Sequence, residues 1–179
     1  MRGTLTGGEL ESLVGSVSRD GVEVEFASLG GVQAGSIRNA VRSYHCIGIG
    51  PVRDDRLEGE PDAAGNPVFA KIVLNRNLSE EALFATLTHE LGHLYCGHVG
   101  TPDPKRWPDR TSLDHDSREL EAECVSYLVC GRLDIATKAD EYLAGYLGEN
   151  GAVPNISIDR VFKAAQRIEA MLKRGGPHS

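Results

Sequence analysis

The chain has 179 residues, 40% of them hydrophobic, which is enough to bury the core of a single domain. Its formal net charge of −7 and its scattered basic residues argue against a nucleic-acid or anionic-membrane partner. No apolar stretch is long enough to span a membrane and the first residues do not form a signal peptide, so we expect a cytoplasmic protein.

The first part of the chain predicts one short helix and three strands. Residues 9–17 have the pattern of a short helix, and residues 22–27 (VEVEFA) alternate as a half-buried strand does. Residues 44–49 are a second strand candidate and residues 68–74 a third. Between these two lies a polar segment rich in turn residues, 53–67, which predicts a loop.

Residues 78–94 (LSEEALFATLTHELGHL) predict an amphipathic helix. Ser79 is a suitable N-cap, and Gly97 follows the helix where a left-handed cap residue is typical. Gly92 lies inside the helix, where glycine costs about 1 kcal/mol relative to alanine, so we expect another element to approach closely there. The apolar stripe consists of Leu83, Phe84, Leu87, Leu91 and Leu94.

The same helix carries the motif His-Glu-Leu-Gly-His at residues 89–93. His89 and His93 are four residues apart and project from one face, so both can bind a single Zn²⁺. Glu90 lies roughly 100° around the helix from His89, where it can take a proton from a water at the metal. The motif predicts a zinc site that hydrolyses amide bonds, with Glu90 as its general base.

Residues 100–116 predict a long loop that carries Trp107 and borders the cleft of the predicted zinc site. His98, just before this loop, is an alternative third zinc ligand, and the competing interpretation is a polar loop residue. His115 is a candidate for stabilising an oxyanion, whereas residues 114–116 can also be read as only a polar loop. Alternative oxyanion donors are Tyr127, Tyr142 and Tyr146.

A catalytic zinc usually has three protein ligands and a water, so a third ligand has to come from further along the chain. Residues 117–129 (SRELEAECVSYLV) predict a second helix, in which Glu119 and Glu123 share a face while Glu121 points elsewhere. We expect Glu119 to ligate zinc and Glu123 to accept a hydrogen bond from a ligating histidine. The competing interpretation is a solvated acidic first turn.

The rest of the chain predicts helices at about 118–132, 137–148 and 157–173. We expect residues 1–172 to form one domain and residues 173–179 to be a disordered tail. The cysteines have no CxxC pairing and are expected to be reduced, small buried side chains, with metal binding by Cys96 as the less favoured alternative. These cysteines are Cys46, Cys96, Cys124 and Cys130.

The stretch HELGHLYCGH, followed later by RELEAECVSYLVCGRL, resembles the zincin-like metallopeptidases of the ImmA/IrrE type, in particular the metalloprotease domain of ArdC-like antirestriction proteins. The resemblance covers roughly residues 68–172 and implies that Glu119 is the third zinc ligand, with Glu123 in the last position of its motif. Residues 1–65 do not match the single-strand-DNA-binding domain of ArdC-like proteins, so no direct nucleic-acid binding is expected.

The resemblance also implies an α+β, zincin-like fold. Such a fold has a small twisted antiparallel or mixed sheet, followed by the HExxH helix and a helical C-terminal half. In zincins the strand before the metal helix, here residues 68–74, lies along the cleft, and substrate adds to it as a further strand.

We therefore expect a zinc metalloendopeptidase acting on a protein or peptide substrate, for which a DNA-binding repressor is one candidate. Two alternatives stay open at this point: a non-proteolytic zinc-containing antirestriction or regulatory binding protein, and a peptidase dedicated to one partner. An intact HExxH motif favours an enzyme, because a pure binding site has no use for Glu90.

Overall fold

The computed structural model describes residues 5, 7–29, 34–39, 68–101, 105, 108–137 and 154–175. This part of the chain forms four helices and one small mixed sheet, which confirms the α+β class and the helical C-terminal half. The helices are α1 (Glu9–Val17), α2 (Glu80–Cys96), α3 (His115–Arg132) and α4 (Ile158–Gly175). The strands are β1 (Val22–Ala27), β2 (Gly35–Asn39) and β3 (Ala70–Asn75), and a 3-10 turn, Ser18–Asp20, precedes β1.

The central strand of the sheet is β3. It pairs in parallel with β1, where Val22 lies opposite Ala70, and antiparallel with β2, where Ile37 lies opposite Ile72. The strand β2 was not predicted, because GSIRN contains only one large apolar residue and therefore lacks the alternation that indicates a strand. Pairing with β3 supplies the stabilisation that the local sequence lacks.

The helix α2 lies at the centre of the fold and packs against α3, α4, β2 and β3. Its N-cap is Ser79, as predicted, and the Ser79 hydroxyl accepts a hydrogen bond from the backbone N–H of Ala82 at 3.3 Å. It ends at Cys96, and Gly97 follows as the left-handed cap residue, as predicted, with a φ of 87°. The stripe residues Phe84, Leu87, Leu91 and Leu94 are buried, and Leu83 packs against them.

The helix α3 begins at His115, three residues before the predicted start. Asp114 is its N-cap, and one carboxylate oxygen accepts from the backbone N–H of Ser117 at 2.8 Å. The interpretation of residues 114–116 as only a polar loop is therefore wrong, because the Asp114 cap stabilises a helical first turn that includes His115 and Asp116. Of the helix predicted at 137–148 only Thr137 is described, and it is not helical. The predictions at 44–49 and 53–67 and the placement of Trp107 lie outside the described residues.

The helix α4 begins at Ile158 and continues to Gly175, two residues beyond the predicted end. Residues 173–175, expected to belong to a disordered tail, are helical because Met171 and Leu172 pack against the core and hold the last turn. Within the described ranges, no helix combines the length and the apolar character needed to cross a bilayer.

Candidate metal centre

Three side chains from two helices converge on one point. His89 and His93 come from α2 and Glu119 from α3, and their ligand atoms lie within 4.8 Å of one another. The two Nε2 atoms are 3.2 Å apart, and the carboxylate oxygens of Glu119 lie 3.6 Å from His89 Nε2 and 3.4 Å from His93 Nε2. The structure thus brings together the three residues that the sequence selects as ligands.

The convergence depends on a close approach of α2 and α3 at Gly92. A Cβ atom at Gly92 would lie 2.9 Å from the Cα atom of Ala122 and 3.2 Å from the Cβ atom of Val125. Because Glu119 is one turn before Ala122, this contact sets how near the Glu119 carboxylate comes to the histidines. The prediction of a close neighbour at Gly92 is confirmed.

The donor set and its spacing fit a tetrahedral metal ion. Ligands at the bond lengths usual for Zn²⁺ are separated along each tetrahedral edge by about 3.3–3.4 Å, close to the three distances between these side chains. Glu123 accepts a hydrogen bond from His89 Nδ1 at 3.1 Å, as expected from its position one turn after Glu119. This bond leaves the Nε2 lone pair of a neutral His89 directed at the shared point.

The charges in this cluster favour a cation. Burial lowers the pKa of His89, but hydrogen bonds to Glu119 and Glu123 outweigh burial and raise that pKa to about 10. Burial lowers the pKa of His93 to about 4, with Glu119 opposing. Burial also acts to raise the pKa of Glu119, yet the two histidines hold it well below its usual range. The site therefore attracts positive charge, and a divalent ion would displace the proton from His89.

Glu90 borders a cavity of about 870 Å³ that the three converging residues also line. Glu90 is only 7% exposed. Burial raises the pKa of its carboxyl group to about 7, although the charge of His89 acts to lower it. The backbone of Ile37, on β2, also acts to lower this pKa, but less than burial raises it. A carboxyl group that titrates near neutral pH can both accept and return a proton.

Two other candidates have different positions. His115 lies at the open side of the cavity, largely exposed, with Nδ1 at 3.7 Å from a Glu119 oxygen. His98 is buried and does not join the three converging residues, because its Nδ1 lies 3.0 Å from His93 Nδ1, on the far side of that ring. Tyr127 is 45% exposed and does not line the cavity, while Tyr142 and Tyr146 lie outside the described residues.

The described cysteines are free thiols, as expected, with Cys96 and Cys130 buried and Cys124 partly buried. Cys96 does not lie with the three converging residues; it belongs to a second buried group with His98 and Glu121. Burial raises the pKa of the Cys96 thiol to about 12.

Sequence reasoning missed that Glu121 is fully buried behind the site and is paired with Arg110. The helical spacing of α3 could have indicated that Glu121 is buried. Glu121 is four residues before Val125 and four after Ser117, both of which are buried, so it lies on the face of α3 that packs inward. A carboxylate on such a face needs a partner.

The strand beside the cavity also differs from the prediction. The strand that precedes α2, β3, is paired on both sides and has no edge that could receive a substrate strand. The cavity is instead lined by β2, through residues 35–37, because β2 lies between β3 and the open side of the site.

The fold and the site define an α+β protein in which histidine and glutamate side chains from two helices can hold a metal ion beside a cavity. The chain matches no family model, no curated protein and no solved structure. The chemistry of the site is therefore what indicates the function.

Proposed function

We propose that the protein is a zinc-dependent metallopeptidase that hydrolyses peptide bonds in a protein or peptide substrate. The observation that carries this proposal is the convergence of His89, His93 and Glu119 beside a buried Glu90 in one open cavity. A purely structural zinc site is closed by four protein ligands. Three ligands next to an accessible cavity and a spare carboxylate favour a catalytic site instead.

In this proposal His89, His93 and Glu119 hold Zn²⁺, which when bound supplies Lewis-acid chemistry that acidifies water and polarises a carbonyl group. Glu90 accepts a proton from the attacking water and returns it to the leaving nitrogen. Burial keeps the pKa of the Glu90 carboxyl near the value at which it can perform both transfers. Glu123 fixes the ring of His89.

The test compares the wild type with Glu90→Gln and with Glu80→Gln, an exposed control on the same helix. Zinc content is measured by elemental analysis, and hydrolysis by mass spectrometry of new termini in a mixture of denatured proteins. We expect all three proteins to bind one zinc ion. Glu90→Gln should lose activity about 10²- to 10⁴-fold, whereas Glu80→Gln and the wild type should match.

Chelation of zinc should abolish cleavage by the wild type, and added zinc should restore it. Full activity in Glu90→Gln would refute the general-base assignment. A zinc-loaded wild type that cleaves no protein in this mixture would contradict the peptidase proposal and favour a zinc-containing binding protein.

A further inference from the structure

The ring of His93 has a partner on the side that faces away from Glu119. Its Nδ1 atom lies 3.0 Å from Nδ1 of His98, and Nε2 of His98 lies 2.9 Å from a carboxylate oxygen of Glu121. His98 is 2% exposed and Glu121 is fully buried. A continuous chain of hydrogen bonds therefore runs from the candidate metal centre into the core.

The backbone turn after α2 brings the two imidazoles together. The N–H of His98 donates to the carbonyl of His93 at 2.9 Å, and the N–H of Gly97 donates to the carbonyl of Leu94 at 3.0 Å. This is the Schellman arrangement, in which the second residue after the helix packs against the residue five positions earlier. In most proteins that contact is apolar. Here it is a hydrogen bond between two histidine rings.

Glu121 is held by four hydrogen bonds. The guanidinium of Arg110 binds both of its oxygens, at 2.6 and 2.7 Å, and the backbone N–H of Ser157 donates at 2.7 Å. The fourth donor is His98 Nε2. Arg110 already balances the charge of Glu121. If His98 is neutral, the buried group of Arg110, Glu121 and His98 therefore has no net charge.

Cys96, His98 and Glu121 are close enough together to bind a second metal ion. Arg110 argues against that use, since its guanidinium occupies both oxygens of Glu121 and would repel a second cation. The arrangement therefore fits a chain of hydrogen bonds better than a metal site.

The direction of each hydrogen bond follows from Glu121. A carboxylate accepts, so His98 carries its proton on Nε2 and its Nδ1 is an acceptor. The facing atom, Nδ1 of His93, must then donate. A neutral His93 is left with its lone pair on Nε2, the atom that points toward Glu119 and His89.

We propose that His98 is a positioning residue that fixes the tautomer and the ring orientation of His93 through a relay from Glu121 and Arg110. The inference rests on the proposed function in taking His93 as a metal ligand. The two histidines are then held differently: the partner of His89 is the carboxylate of Glu123, whereas the partner of His93 is a neutral imidazole. Partners of this kind typically change metal affinity about 10- to 100-fold.

The first test reads the tautomers directly. In the full-length protein labelled with ¹⁵N-histidine, long-range ¹H–¹⁵N spectra distinguish protonated from unprotonated ring nitrogens. We expect the proton of His93 on Nδ1 and the proton of His98 on Nε2, both with zinc and after chelation. A proton on His98 Nδ1, or on His93 Nε2, would overturn the proposal. Because the measurement does not need zinc, it decides the relay even if the protein proves to bind none.

The second test compares His98→Asn with His98→Leu. The Oδ1 atom of asparagine can take the place of Nδ1 and accept from His93, whereas leucine fills the space without an acceptor. In competition with a chelator, His98→Leu should bind zinc about 10- to 100-fold more weakly, and His98→Asn should retain most of the affinity. Equal affinities in the two variants would contradict the positioning role. If His98→Leu does not fold, the tautomers of the wild type and the zinc affinity of His98→Asn still decide.

Discussion

The absence of a side chain at Gly92 governs how closely the two helices of the site, α2 and α3, can approach each other. The missing side chain lets the backbone of α3 come within contact distance of α2, at Ala122. The two nearest atoms that a larger residue would meet are backbone atoms of Ala122, which cannot rotate aside as the end of a flexible side chain does. Gly92 therefore contributes to the candidate metal centre although it has no side chain that could bind a metal ion.

We predict that Gly92→Ala lowers the free energy of unfolding by about 1–3 kcal/mol, because its Cβ would overlap the backbone of Ala122. It should also weaken zinc binding, since relief of the overlap moves Glu119 away from the histidines. Urea denaturation and chelator competition measure the two effects. The matched control is Gly131→Ala on α3, where a Cβ meets nothing within 4 Å and helix propensity should stabilise by up to about 1 kcal/mol. A Gly92→Ala protein as stable as this control would contradict the packing argument.

At the scale of elements, caps decide where the two helices of the site begin. The carboxylate of Asp114 accepts from both the backbone N–H and the hydroxyl of Ser117, each at 2.8 Å. This cap makes His115 and Asp116 helical, so that His115 comes to lie one turn from Glu119, at the open side of the cavity. A start at residue 118 would have left Glu119 in a fraying first turn.

These hydrogen bonds hold the pKa of Asp114 below its ordinary value of 3.8. A carboxyl group whose pKa is lower in the folded protein stabilises it above the unfolded pKa, and the contribution disappears as pH falls through the folded value. Asp114→Asn keeps an N-cap oxygen but cannot titrate. We therefore expect the stability difference between the wild type and Asp114→Asn to shrink between pH 6 and pH 3 in urea denaturation. The same difference at both pH values would show that the charge of Asp114 does not contribute.

At the scale of the whole molecule, an ion pair with a buried carboxylate joins segments near the two ends of the described chain. The carboxylate of Asp20, in the turn before β1, accepts two hydrogen bonds from Nη2 of Arg167 on α4, both at 2.8 Å. The hydroxyl of Tyr95, on α2, donates to the same carboxylate at 2.8 Å. The helix α2 is thus held between the N-terminal turn and the last helix.

Replacement of Arg167 by leucine should lower the free energy of unfolding by roughly 2 kcal/mol, because it leaves the buried Asp20 carboxylate without its main countercharge. The loss should be smaller than for a fully buried pair, since the Arg167 side chain is 32% exposed. The control is Arg132→Leu, which breaks the more exposed pair with Glu169 and should cost less than about 1 kcal/mol. Urea denaturation compares them, and equal losses would show that burial of Asp20 is not what makes its pair important.

The features that could be predicted from the sequence are those that neighbours along the chain determine. The helix α2, its cap at Ser79 and its end at Gly97 follow from helical periodicity and from the backbone conformation that glycine permits. His89 and His93 lie on one face because of the helical repeat, and the same repeat puts Glu119 and Glu123 on one face of α3. The contact between His98 and His93 could also have been predicted from the sequence, because it follows from the turn that Gly97 makes.

Other features required the tertiary structure, because they depend on residues distant in sequence. Nothing local to residues 35–39 indicates a strand, and only pairing with β3 makes them one. The choice of Arg110 as the partner of Glu121, and the burial that raises the pKa of Glu90, depend on how α2, α3 and β2 pack together. Helical periodicity determines which side chains share a face, whereas only packing determines what that face meets and how much water it keeps.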